Sequence, residues 1–111
     1  MSKAKDLINL YEMSNLRPVS TGLSVFIWLD DMGSDRRNKH QLPRLKVAQQ
    51  KANNFIGTVS ISDKPIVING YIDIDILSDI SKWIKLNLDV LLKHWNGEIE
   101  TIELKLYLKK V

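Results

Sequence analysis

The chain has 111 residues, a formal net charge of +3 and no cysteine. That length suits one domain with a core of its own, and the absence of cysteine excludes disulfides, thiolate zinc sites and cysteine nucleophiles. No stretch approaches the roughly 18 apolar residues of a membrane span. The first residues lack the apolar run of a secretory signal, so the expected location is the cytoplasm, away from any membrane.

Charge is unevenly spread. Residues 1–55 hold nine basic and five acidic groups, and residues 56–111 hold seven basic and eight acidic. The excess is thus positive in the first half only.

Residues 1–12 read as an N-terminal appendage with a weak helix over 3–13, because Met13 begins "MSNLRP" and the helical pattern is too short to be stable alone. Residues 13–111 read as one domain. In "LSVFIWLD", Val25, Ile27 and Leu29 share one face of a strand, with Phe26 and Trp28 on the other. Both faces are apolar, which predicts a central or well-covered strand. A polar loop with Asp30, Asp31, Gly33 and Asn38 leads to "PRLKVAQQ", where Leu45 and Val47 alternate with Arg44 and Lys46 as in a half-exposed strand. In "FIGTVSISD", Ile56, Val59 and Ile61 fall out of phase, which suggests a bulge at Gly57. "PIVING" suits a short edge strand, since Pro65 has no N–H to donate.

From Asp75 the period changes. Ile76, Leu77, Ile80, Trp83, Ile84, Leu88, Leu91, Leu92 and Trp95 recur at steps of three and four, predicting one amphipathic helix of about five to six turns. Asp73 or Asp75 suits its start and Gly97 its end, and Asn87 is the residue able to divide it. Residues 99–110 fit both a strand and a helix, and their Glu, Lys and Leu content favours helix. The predicted fold is α+β: a small antiparallel sheet of three to four strands packed against one long C-terminal amphipathic helix.

"MSNLRPVSTGLSVFIWL", "PRLKVAQ", "VSISDKPIVI" and "WIKLNLDVLLKHWNGEI" resemble small uncharacterised bacterial proteins found on mobile elements. These share an LRP-x-STGLP opening, a hairpin, and a helix with W/F-I-x-L-N-x-x-x-LL-x-x-W. The resemblance spans roughly Met13 to Ile102. It implies the fold and the order of elements, and no activity. More distantly, the chain is similar to a domain family of unknown function with a PPHxH hairpin and a helix ending in ELLENW. Here Pro43 is followed by Arg44-Leu45-Lys46, so any role of those paired histidines does not carry over.

The strongest chemical signal is the run Arg36–Lys51, with six basic residues and no carboxylate. Arg36, Arg37, Lys39, Arg44, Lys46 and Lys51 are the candidate nucleic-acid contacts, with Arg44 and Lys46 on one strand face. The bland alternative is a solvated strand kept soluble by its charge. No aromatic residue interrupts the sequence between Leu29 and Phe55, which speaks against base stacking. His40 and His94 are the two histidines, better read as structural than as a metal pair. Asp73, Asp75 and Asp79 cluster where a helix start needs caps, so capping outweighs acid–base chemistry or cation binding. Ser20-Thr21-Gly22 lacks the second glycine and the lysine of a phosphate loop. Trp28, Trp83 and Trp95 read as core.

No catalytic, metal or cofactor motif stands out. The expected function is therefore binding, not catalysis. The first expectation is a mobile-element accessory protein acting on a protein partner, and the alternative is a nucleic-acid-binding regulator using residues 36–51. Homodimerisation through an edge strand is a further hypothesis.

Overall fold

The computed structural model describes residues 15–29, 42–49 and 54–111. The predicted N-terminal helix over 3–13 lies outside these residues, as do Asp30, Asp31 and Asp35 of the polar loop, and also Arg36, Arg37, Lys39, His40 and Lys51.

Within the described residues, five strands form one antiparallel sheet in simple meander order. They are β1 (Asn15–Leu16), β2 (Phe26–Leu29), β3 (Arg44–Ala48), β4 (Phe55–Ser60) and β5 (Val67–Gly70). β1 is only two residues long, so four strands carry the sheet. A single helical turn, α1 (Pro18–Thr21), joins β1 to β2. Three helices follow: α2 (Ile74–Leu86), α3 (Leu88–Trp95) and α4 (Thr101–Tyr107).

The alternation read from the sequence places the core. Ile27, Leu29, Leu45, Val47 and Val59 point to one face, where they are buried against Ile80, Trp83, Ile84, Leu91 and Leu104 of the helices. On β3, Leu45 and Val47 are fully covered while Lys46 is exposed, as its alternation predicts. The bulge falls beside Gly57. Val47 pairs with Gly57 but Ala48 pairs with Phe55, so Ile56 is the extra residue. This shift explains why Ile56 and Val59 do not share a phase. Gly57 has no room for a side chain, because a Cβ would sit 2.9 Å from the Asn69 carbonyl oxygen and 3.0 Å from Ile72.

The single long helix is corrected to two helices. The apolar stripe continues through Ile80, Trp83, Ile84, Leu91 and Trp95, but the helix breaks at Asn87, which sits on that stripe and is itself buried. Its amide Nδ2 donates to the Trp83 carbonyl (2.9 Å) and to the Lys109 carbonyl (3.0 Å), and its Oδ1 accepts the Lys109 N–H (2.7 Å). An asparagine side chain can satisfy backbone groups as a neighbouring strand would, in competition with the helix. Asn87 therefore ends α2 and fastens the C-terminal segment in one step.

Helix ends follow the predicted chemistry in part. Asp73 is the N-cap residue of α2, though its side chain makes no capping hydrogen bond, and Asp75 lies in the first turn. After α3, Gly97 adopts φ +77°, its N–H bonding to the His94 carbonyl and that of Glu98 to the Lys93 carbonyl. This is the paired closure of a Schellman motif, and it needs the left-handed residue that glycine supplies most easily. The helical reading of the tail holds over Thr101–Tyr107, where the Glu103 carboxylate accepts the Glu100 N–H at 3.2 Å.

Ser20-Thr21-Gly22 has a structural role. The buried Thr21 hydroxyl accepts the Leu23 N–H at 3.0 Å, and the Thr21 carbonyl accepts the Val111 N–H at 3.1 Å. Gly22 has φ +82°, and a Cβ there would lie 2.7 Å from the Val111 carbonyl oxygen. The final residues thus pack between Asn87 on one side and the α1 turn on the other.

Candidate nucleic-acid interface

The helices cover one face of the sheet. The other face is built by the outward phase of each strand: Phe26 and Trp28 on β2, Arg44 and Lys46 on β3, Phe55 and Thr58 on β4, and Asn69 on β5. Cross-strand register fixes their order, with Trp28 opposite Lys46, Lys46 opposite Thr58, and Thr58 opposite Asn69. Lys46 therefore stands in the middle of a row that runs from an aromatic ring to two hydrogen-bonding side chains.

Phe55 completes the cluster. Its ring is 47% exposed and meets Trp28 edge-on, with centroids 6.0 Å apart and planes at 63°. The Lys46 ammonium lies 5.6 Å from the Phe55 centroid, within the range of a cation–π contact. Trp28 is only half-buried on this face, so its assignment to the core is corrected; Trp83 and Trp95 are buried as expected. β2 is an inner strand, as expected, flanked by β1 and β3, with Phe26 and Trp28 partly buried. The neighbour of Trp28 on this face is Phe55.

Beside Phe55 lies an open cleft of about 310 Å³ lined by Lys46, Phe55, Ile56, Gly57, Thr58, Asn69 and Gly70. The bulge creates it. Along a regular strand outward side chains stand two residues apart, but the extra Ile56 separates Phe55 from Thr58 by three. The floor between them is glycine backbone, since Gly57 and Gly70 face each other across the strands.

Of the six basic residues singled out in the sequence, Arg44 and Lys46 fall on this face, and the other four lie outside the described residues. What the sequence reading missed is the interleaving of aromatic and basic residues. Absent from the basic run itself, it is supplied in space by Trp28 from the strand before and Phe55 from the strand after. The outward phase of Trp28 was the available signal.

The other candidates resolve differently. His94 is buried, and its Nε2 lies 2.9 Å from the Thr101 hydroxyl, linking α3 to α4. Asp73, Asp75 and Asp79 are all exposed. Among the described residues no group of three His, Asp or Glu is placed to hold a metal ion. Asp73 acts on Tyr71: its carboxylate, hydrogen-bonded to the phenol and opposing its negative charge, raises the Tyr71 pKa above the usual value of 10.0. Among the described residues, no helix is long and apolar enough to cross a membrane.

Compared with known proteins, the chain matches no family model, no curated protein and no solved structure at a significant level.

Proposed function

We propose that this chain is a small binding module that engages nucleic acid through the face of its sheet that no described helix covers. One observation carries the reading: Lys46 lies over the Phe55 ring and pairs across the strands with Trp28, on a face that no described helix covers. A cation supplies phosphate attraction and exposed rings supply base stacking, and proteins that bind nucleic acid without strict sequence preference combine the two. Arg44 adds a second cation on the same strand phase. Arg36, Arg37, Lys39 and Lys51 belong, by chain order, to the connections on either side of β3. They are proposed as further phosphate contacts.

Fluorescence polarisation with DNA and RNA probes at low and moderate salt tests this. Binding should weaken linearly in log salt, with a slope of about −3 if four phosphates of a single strand are contacted. The double reversal Arg44→Glu with Lys46→Glu should abolish binding while the far-UV circular dichroism stays unchanged. No binding of any probe at low salt overturns the reading.

A second reading, a protein partner, is favoured by a separate observation. Ile66, Tyr71 and Ile74, around β5 and the start of α2, are 61%, 76% and 78% exposed. Contact through these side chains fits better than strand addition, including the strand-to-strand homodimer. The β5 edge is guarded by Pro65 and by a bulge at Ile68, between the pairs Thr58–Asn69 and Val59–Val67. The association with mobile elements rests on the resemblance of sequence alone.

A further inference from the structure

We infer that the cleft beside Phe55 is a seat for one unstacked base, so that the ligand is a single strand and not a duplex. This rests on the nucleic-acid reading above and narrows it. A sheet face that grips only a backbone needs cations and no cavity. Here the bulge at Ile56 opens a gap between Phe55 and Thr58 and leaves glycine backbone as its floor. The volume of about 310 Å³ is at the small end for ligand pockets, suited to one planar ring system and not to an extended chain.

The groups at its rim match the parts of a nucleotide. Phe55 offers a stacking surface, buttressed edge-on by Trp28 so that its ring is held in place. The Thr58 hydroxyl and the exposed Asn69 carboxamide, opposite each other across β4 and β5, bring donors and acceptors suited to the edge of a base. Lys46 reaches the same cleft with a positive charge on a flexible stem, where the phosphate attached to a seated base would lie. In a duplex, bases are paired and stacked, and a cleft of this size meets only the sugar–phosphate rim. A single strand can turn a base into it at small cost. Close packing requires both glycines: a Cβ on Gly57 would meet the Asn69 carbonyl oxygen and Ile72, and one on Gly70 would come within 2.3 Å of the Ile56 carbonyl oxygen.

The test compares three probes at one low salt concentration: a labelled single-stranded oligonucleotide, its duplex and a labelled mononucleotide. Each is titrated with the wild-type chain, Phe55→Ala, Phe55→Trp and Asn69→Ala. The expected order is single strand, then mononucleotide, then duplex. Phe55→Ala should weaken single-strand binding about tenfold or more and leave the duplex unaffected. Phe55→Trp should retain the affinity, which a purely structural role for phenylalanine would not predict. Asn69→Ala should change the preference among homopolymeric single strands. If duplex binds as well as single strand and Phe55→Ala changes neither, the base seat is overturned while the nucleic-acid reading survives. If no probe binds, both fall. If the mononucleotide binds as tightly as the oligonucleotide, a single strand is not the ligand and the inference falls in favour of a free nucleotide. Melting curves of each variant separate lost binding from lost folding.

Discussion

Replacing Asn87 with alanine should lower the unfolding free energy by about 2–3 kcal/mol and free the last residues of the chain. Three side-chain hydrogen bonds vanish, to the Trp83 carbonyl and to both backbone groups of Lys109. Each is worth roughly 0.5–1.5 kcal/mol net. Two effects soften the loss. The Trp83 carbonyl keeps the Asn87 backbone N–H at 3.1 Å, and alanine favours helix over asparagine by several tenths of a kcal/mol. Asn87→Asp should be worse than alanine, because the oxygen replacing Nδ2 would bring negative charge against two carbonyls in a buried site, with only the Lys109 N–H left to donate to the carboxylate. Urea unfolding gives the first quantity. Hydrogen exchange gives the second: the Lys109 amide, bonded to Asn87 Oδ1, should lose its protection in Asn87→Ala while amides in α2 keep theirs. Unchanged protection at Lys109 would show that other contacts hold the segment.

Trp83→Ala should be the most damaging single truncation, costing about 3–5 kcal/mol. Trp83 is fully buried among Ile80, Ile84, Leu91 and the inward residues of the sheet, so alanine leaves a large cavity where sheet and helices meet. Trp83→Phe separates volume from polarity. The indole Nε1 is buried without a hydrogen-bond partner among the described residues. A buried unpaired donor costs roughly 1–3 kcal/mol. Phenylalanine removes that donor as it removes volume, so Trp83→Phe should fall within about 1 kcal/mol of the wild type. Chemical denaturation of both variants decides it. A loss in Trp83→Phe well above 1 kcal/mol would mean that the missing indole volume outweighs the relief of its unpaired donor.

The elements most legible in the sequence were those set by period. β2, β3 and the α2–α3 stripe are visible because inward residues repeat every two or every three to four positions. The break at Asn87 was less legible because its cause is not local. The stripe runs straight through the site, and the reason for the break is a partner 22 residues away. The tail was ambiguous because Ile102, Leu104, Leu106 and Leu108 alternate as in a strand while Ile99, Ile102 and Leu106 recur at helical steps. The capping contact of Glu103 and the burial of Leu104 fix it as helix. The candidate site was half legible. Arg44 and Lys46 share a strand face by simple alternation, but the meeting of Lys46 with Phe55 depends on which strands pair and on the register shift at Ile56, which alternation alone does not encode. Trp28 was misassigned for a related reason: alternation puts an aromatic ring on one side of a strand without saying which side carries the main core, and Trp28 lies outside it.

The meander and the docked C-terminal segment have a consequence for how the chain assembles. Strands that pair only with their sequence neighbours close short loops, which favours rapid folding. The contact of Val111 with Thr21 spans most of the chain and is the costliest closure to make early. It should therefore form after the barrier is crossed, once α2 and α3 lie on the sheet. Weakening it at Asn87 or Gly22 should leave the refolding rate almost untouched and appear as faster unfolding.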